Sequence, residues 1–153
     1  MRVKNWISNM FLVLFLVIPA VALAAGDPDT PTILNGAKIV SAEEVKKIVD
    51  QKAATIVDTR NPLNYGKGHI PGAILIEYKG KSENVPNFDD SIDQFDSTKL
   101  PSDKNAKIIF YGHGVTGWKG YKAAAKTLKA GYKDVMWFRG GLEEWDKKGY
   151  PKQ

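Results

Sequence analysis

The sequence predicts an α/β fold in which a central, mainly parallel sheet carries helices on both faces. Short apolar runs rich in β-branched residues alternate along the chain with segments of helical periodicity. The runs are continuously apolar, as in strands that are buried on both faces. Because alternation of strand and helix is typical of parallel sheets, these two observations favour a single doubly covered sheet.

The first strand and helix of this pattern are adjacent. A short strand is predicted at residues 38–40. Ser41, followed three residues later by Glu44, forms a capping box that opens a helix over residues 42–51. The apolar side chains of that helix fall on one face, as packing against a sheet requires. They are Val45, Ile48 and Val49.

The remaining elements follow the same alternation. Strands are predicted at the apolar runs 54–57, 73–76, 108–111 and 135–138. A helix is predicted over residues 119–130, with Gly131 as its C-terminal stop, and a shorter one over residues 142–148. Ligands of such folds bind at the carboxyl ends of the strands, so the loops that follow the strands are the expected place of function.

The first 24 residues are typical of an export signal. Arg2 and Lys4 form a basic start, residues 10–24 are uninterruptedly apolar, and Ala22-Leu23-Ala24 has the small-x-small pattern of a cleavage site. The apolar run falls short of the roughly 20 residues of a spanning helix. We therefore expect cleavage near Ala24 and a periplasmic or secreted protein; with an uncleaved leader, the chain would be tethered to a membrane.

Composition limits the classes of function. Residues 25–35, rich in Pro, Asp and Thr, predict a linker or loosely attached arm, so that one domain covers residues 36–153. The whole chain has a net charge of +5, and removing Arg2 and Lys4 with the leader leaves 20 basic and 17 acidic side chains. This mild and evenly spread excess argues against a nucleic-acid partner.

The sequence contains no cysteine and only two histidines, His69 and His113. Disulfides and thiol catalysis are thereby excluded, and neither a metal nor an organic cofactor is expected. Four aspartates within eight residues do not have calcium-loop spacing and lack an intervening glycine, so we expect them in solvated turns and helix caps. These are Asp89, Asp90, Asp93 and Asp96.

Four short motifs, in order and in register over residues 38–152, resemble the landmarks of the rhodanese family. They are Ile56-Val57-Asp58-Thr59-Arg60, Gly68-His69-Ile70-Pro71-Gly72-Ala73, Gly131-Tyr132, and Phe138-Arg139-Gly140-Gly141 with Trp145. The resemblance implies the rhodanese fold. For the family it also implies sulfur transfer through a cysteine persulfide.

Residues 112–124 are similar to the active loop of small exported rhodanese-like proteins. That loop consists of Cys, four residues, Cys-Trp-Lys/Arg-Ser and then Tyr-Lys-Ala-Ala. Trp118, Lys119 and the following Tyr-Lys-Ala-Ala are retained here. Glycine stands at both cysteine positions, 112 and 117, and at the serine position, 120. The resemblance therefore implies a rhodanese-homology domain without a catalytic residue, since nothing at Gly112 can attack and then leave.

The loop is expected to keep the family's hollow of inward-pointing backbone N–H groups at a helix N-terminus, which suits a small anion. Its glycines permit the positive φ angles that would turn successive N–H groups inward. Weak binding of sulfate, thiosulfate or phosphate is expected; the alternative is a loop that is kept only as a turn and binds no ligand. The candidate anion-binding residues, called the anion loop below, are Gly112, His113, Gly114, Val115, Thr116, Gly117, Trp118 and Lys119.

Several side chains have two interpretations. Asp58 and Arg60 could support the mouth of the loop or form an ion pair that holds a turn. His69 resembles the structural histidine of the family. His113 could serve as a general base or be an ordinary exposed histidine. The tryptophans Trp118, Trp137 and Trp145 are expected to pack in the core or under the loop.

Three functions are compatible with these observations. The first is a non-catalytic module that binds an oxyanion or an exported partner protein. The second is a thiosulfate or persulfide sulfurtransferase, which Gly112 contradicts. The third is a different enzyme that uses His113 in the same pocket.

Overall fold

The computed structural model describes residues 26–153. The predicted signal segment and its cleavage near Ala24 lie outside the described residues. No helix within residues 26–153 is long and apolar enough to cross a membrane.

Residues 26–153 form one five-stranded, fully parallel sheet with the strand order β1-β5-β4-β2-β3. The strands are β1 Ala37–Ile39, β2 Thr55–Asp58, β3 Ile74–Leu75, β4 Ile108–Tyr111 and β5 Val135–Phe138. The first strand pairs with the last, so that Ala37 lies opposite Val135. The predicted parallel α/β architecture is confirmed, and each predicted strand lies within two residues of its observed bounds.

Helices follow the strands as the alternation predicts. They are α1 Ala42–Asp50, α2 Pro62–Gly66, α3 Trp118–Lys129 and α4 Gly141–Lys147. The predicted capping box is present: Glu44 N donates to Ser41 Oγ (3.3 Å), and Ser41 N donates to the Glu44 carboxylate (2.9 Å). Helix α2 was not predicted, although the sequence carries a signal for its start. Asn61 caps a helix whose first residue is Pro62.

Two apolar clusters cover the two faces of the sheet. On one face Phe110 of β4 packs with Tyr121 of α3 and with Trp137. On the other face Ile109 packs with Val45 of α1 and with Trp145 of α4. All four residues of β4 are buried, as expected of a central strand that is covered on both sides.

The segment before β1 is attached more firmly than its composition predicts. Thr30 is buried, and its N and Oγ1 donate to the Val115 carbonyl at 2.8 and 2.6 Å. Arg139 donates to the carbonyls of Thr30 and Pro31. Residues 27–34, called the strap below, therefore pack on the anion loop, because the loop and Arg139 satisfy the polar backbone of the strap. The domain boundary at residue 36 stays a prediction.

Asp93 is an exception among the four aspartates that were expected in solvated positions. It is buried, and it accepts hydrogen bonds from Tyr78 Oη (2.6 Å), Lys81 N (2.6 Å), and Ser82 N and Oγ (2.8 and 2.6 Å). Burial raises the pKa of its carboxyl group, but these bonds outweigh burial and hold the pKa well below 3.8. The expectation of a solvated turn is wrong at this position, because the carboxylate organises the polar segment after β3.

Candidate functional site

A buried ion pair fixes the loop after β2. Arg60 Nη2 lies 2.6 Å from Asp58 Oδ2, and the two side chains are 3% and 0% exposed. Tyr111 Oη donates to the same carboxylate (2.7 Å), while Arg60 also donates to the Gly68 carbonyl (2.8 Å). Of the two roles left open by the sequence, this geometry supports the ion pair that holds a turn. Neither side chain lines the cleft described below.

The anion loop leaves β4 after Tyr111 and enters α3 at Trp118. Two backbone bonds attach its first residues to α4, from Leu142 N to Gly112 O (3.0 Å) and from Glu143 N to His113 O (2.8 Å). A tight turn follows, in which Gly117 N donates to Gly114 O (2.8 Å). Together with the strap, these contacts hold the loop from two sides.

The loop glycines allow neighbouring parts of the chain to approach closely; they do not adopt positive φ angles. None of Gly112, Gly114, Gly117 and Gly120 has a positive φ angle. A Cβ at Gly117 would lie 2.8 Å from Gly114 O, and one at Gly120 would lie 3.1 Å from Gly112 N. The expectation that positive φ angles turn the N–H groups inward is therefore wrong. At Gly117 and Gly120, glycine is needed because neighbouring backbone would crowd a side chain.

The base of the loop is narrow. A Cβ at Gly112 would lie 3.3 Å from the Gly117 carbonyl oxygen and 3.7 Å from Thr59 Oγ1. A carbonyl oxygen, which carries partial negative charge, thus lies beside the space where the family's thiol would begin. This position disfavours an anion deep inside the loop and directs attention to its outer face.

Variants at the two cysteine positions are expected to differ in stability. Gly112→Cys needs only a small shift of the Gly117 carbonyl, so we expect a loss below about 1 kcal/mol. Gly117→Cys collides with the loop backbone and should cost about 1–3 kcal/mol, the usual range for overpacking. Urea unfolding of both variants measures the difference, and equal stabilities would show that the turn at residues 114–117 is easily remodelled.

A cleft of about 230 Å³ opens in front of the loop. Five of the eight residues of the anion loop line it: His113, Thr116, Gly117, Trp118 and Lys119. The other three do not; Gly112 and Gly114 are buried, and the Val115 carbonyl is engaged by the strap. The cleft therefore uses the outer half of the predicted site.

The rest of the cleft comes from residues that the sequence analysis did not single out. They are Asp27, Tyr78, Gly80, Asn84 and Lys122. Lys122 belongs to the retained Tyr-Lys-Ala-Ala stretch, so the motif itself could have indicated this residue. Nothing in the sequence points to Asp27 or Asn84, which meet only in the fold, where Asn84 Nδ2 donates to Asp27 Oδ1 (3.0 Å).

Charge in the cleft is dominated by two lysines. Lys122 is 2% exposed, and its Nζ donates to both Ser82 O and Ser82 Oγ at 2.9 Å. Burial lowers the pKa of Lys122, while Asp93 and Asp27 oppose that shift. Lys119 is partly exposed in the first turn of α3. The N-terminus of α3 adds partial positive charge, since no side chain caps it.

His113 lacks the surroundings of a general base. Desolvation and then the positive charge of Arg60 lower the pKa of its imidazole, which favours the neutral ring at pH 7. Asn64 Nδ2 lies 3.3 Å from His113 Nε2, and within residues 26–153 no carboxylate hydrogen-bonds to the ring. An oriented base needs such a partner, which leaves the third function without structural support.

A metal site has no basis in the described part of the chain. Residues 26–153 contain no group of three or more histidine, cysteine or acidic side chains that could hold a metal ion.

Comparison with known proteins gives the family. The model of the rhodanese-like domain matches residues 41–148. The chain belongs to the rhodanese-like domain family. The match includes the segment after β3, the anion loop and α3, and thus every residue that lines the cleft except Asp27 of the strap.

Known relatives are similar to this rhodanese-like chain over most of its length. The tRNA uridine(34) hydroxylase of Yersinia pestis (strain Pestoides F) is 30% identical over 142 residues, which cover 92% of this chain and 37% of the relative. The chain thus spans little more than a third of that protein's length. The solved Alr3790 protein of Anabaena sp. is 26% identical, with a TM-score of 0.56 over 74% of this chain and 90% of that one. The BH2092 protein of Bacillus halodurans shares the fold at 24% identity, with a TM-score of 0.58 over 76% and 77% of the two chains.

His69 and the three tryptophans that the sequence singled out have packing roles. His69 stacks on the Tyr65 ring at 3.7 Å, and its backbone exchanges two hydrogen bonds with Gln153. Trp137 and Trp145 are core residues. Trp118 is buried under the strap, where its Nε1 donates to Pro28 O (2.7 Å).

Proposed function

We propose that this protein is a non-catalytic rhodanese-like module that binds a small oxyanion in the cleft in front of its loop. The observation that carries the proposal is the joint position of Lys119, Lys122 and the uncapped N-terminus of α3 on a cleft whose loop has glycine at the nucleophile position. The cleft thus has positive charge, but the loop lacks the nucleophile that sulfur relay needs.

The expected affinity is modest. One or two charge-assisted hydrogen bonds contribute about 1.5–3 kcal/mol each, and the helix terminus adds about 0.3–1 kcal/mol. Asp27 on the rim opposes them. A net gain near 4 kcal/mol corresponds to a dissociation constant of about 1 mM. The site thus suits an anion that is abundant in its compartment.

Export and a protein partner belong to the same proposal. The leader of residues 1–24 supports a periplasmic or secreted location with cleavage near Ala24. An exported partner protein is the second possible ligand, and the firmly attached strap gives this face the fixed shape that a partner needs. Sulfur transfer is disfavoured, because the chain contains no cysteine to carry a persulfide.

Titration followed by amide NMR tests the proposal. With sodium sulfate, thiosulfate or phosphate added at constant ionic strength, we expect saturating shifts for residues 113–119 in the millimolar range. Lys119→Met is expected to weaken binding up to about tenfold, whereas Lys133→Met, an exposed lysine outside the cleft, should leave it unchanged. No shifts at tens of millimolar anion would refute oxyanion binding.

A second arm of that experiment separates binding from catalysis. The protein is incubated with thiosulfate and cyanide, and thiocyanate is measured. We expect none above the buffer rate, because no side chain at position 112 can accept sulfur. Thiocyanate formation would favour the sulfurtransferase alternative.

A further inference from the structure

We infer that the cleft prefers a small organic monoanion, such as a sulfonate or carboxylate with an apolar body, over an inorganic dianion. The inference rests on the proposed anion binding and specifies its ligand class. Three properties of the cleft carry it: its volume, its formal charge and the composition of its surface.

The volume exceeds what one inorganic oxyanion needs. A cavity of about 150 Å³ is known to hold benzene, so the cleft of about 230 Å³ is large enough for a ring-sized organic ligand. A tetrahedral oxyanion has five heavy atoms and would leave much of that space to solvent. A ligand of about twice that size would fill the cleft and displace the water.

The formal charge of the cleft favours a single negative charge. Lys119 and Lys122 are its two cations, and Asp27 is its carboxylate. His113 also lines the cleft, and desolvation and Arg60 lower its pKa, which favours the neutral ring at pH 7. The lining side chains therefore sum to one positive charge. The buried Asp93, which is bonded to Ser82 beside Lys122, offsets the charge of Lys122 further, so that no second cation is left for a dianion. A dianion would meet uncompensated repulsion from Asp27.

The exposed surface of the cleft is mostly carbon. Polar atoms of its walls are engaged elsewhere, since Trp118 Nε1 donates to Pro28 O and Tyr78 Oη donates to Asp93. Lys122 is fixed at one side by its two bonds to Ser82, which leaves one of its three N–H donors for a ligand. A few fixed polar groups in an otherwise apolar concavity are typical of sites for organic ligands.

Separate titrations with two probes test the inference on the full protein. Benzenesulfonate and sulfate are titrated at the same pH and ionic strength, and amide shifts of residues 113–122 report binding. We expect benzenesulfonate to bind at least about fivefold more tightly than sulfate. Asp27→Asn is expected to raise sulfate affinity several-fold and benzenesulfonate affinity less, because it removes the carboxylate that opposes the second charge.

Asp27 is exposed, so this variant should fold normally. Lys122→Met is expected to weaken binding of both probes by about tenfold or more. Because Lys122 is buried and bonded to Ser82, Lys119→Met is the second variant, and Lys133→Met controls for the loss of a surface lysine charge. Equal or tighter binding of sulfate would overturn the inference but not the proposed oxyanion binding. An Asp27→Asn variant with an unchanged ratio of the two dissociation constants would also overturn the inference. Failure of both probes at tens of millimolar would overturn the proposed function itself.

Discussion

Asp58→Ala is expected to lower the free energy of unfolding by about 3–5 kcal/mol, because it leaves a buried cation without its carboxylate. The carboxylate of Asp58 is fully buried and accepts hydrogen bonds from Tyr111 and from the guanidinium and backbone N–H of Arg60. Its removal leaves the Arg60 cation buried, with the Gly68 carbonyl as its remaining partner. Urea unfolding monitored by tryptophan fluorescence measures the loss.

Asp50→Ala is the matched control. Asp50 also pairs with a cation, since Lys46 Nζ lies 2.6 Å from its carboxylate, but this pair is on the surface of α1. Water screens such pairs, so little change is expected. Replacing both members of the buried pair, with Asp58→Leu and Arg60→Met, should cost less than Asp58→Ala alone. If Asp58→Ala lost no more stability than Asp50→Ala, the buried pair would not hold the turn.

Asp93→Ala is expected to have the second-largest effect, about 3 kcal/mol at pH 7. It leaves the buried Tyr78 Oη and three part-buried donors, Lys81 N, Ser82 N and the Ser82 hydroxyl, without their acceptor. Because Ser82 also holds Lys122, the variant should lose anion binding in the cleft as well. Unfolding and sulfate titration of the same sample measure both effects.

The stability that Asp93 contributes depends on pH in a defined direction. Its hydrogen bonds hold its pKa below the ordinary value of 3.8, so the unfolded chain binds more protons than the native one as the pH falls. The contribution is therefore complete above about pH 4 and is lost as the pH falls through the lowered pKa. Asp93→Asn should flatten this part of the acid-unfolding curve, while the exposed Asp103→Asn should not. The same acid slope in both variants would contradict the prediction.

Local patterns were sufficient for the framework of the fold. The strand candidates, the capping box at Ser41 and the motif register all depend on neighbours within a few residues, and the structure confirms them. The strap, by contrast, is ordered by Val115 and Arg139, which are more than 80 positions away. Composition alone describes such a segment as a linker, because it contains no information about distant acceptors.

The site was predictable in position but not in shape. The loop after β4 does border the cleft, as the topology and the motif indicated. The role of its glycines was not readable, because Gly117 is constrained by the turn from Gly114, and Gly114 by the approach of Glu143 from α4. The walls of the cleft depend on Asp93 and Ser82, whose importance follows from burial that no local pattern reveals.

The pairing of the first strand with the last has a consequence for biosynthesis. The neighbour of β1 is β5, about a hundred residues later, and the backbone of the final residue, Gln153, bonds to His69. Contacts of this separation carry a large loop-closure cost before they contribute stability, which slows folding. The sheet can be completed only after β5 has left the ribosome, so a nascent polypeptide of this sequence stays without the pairing of β1 until Phe138 has emerged.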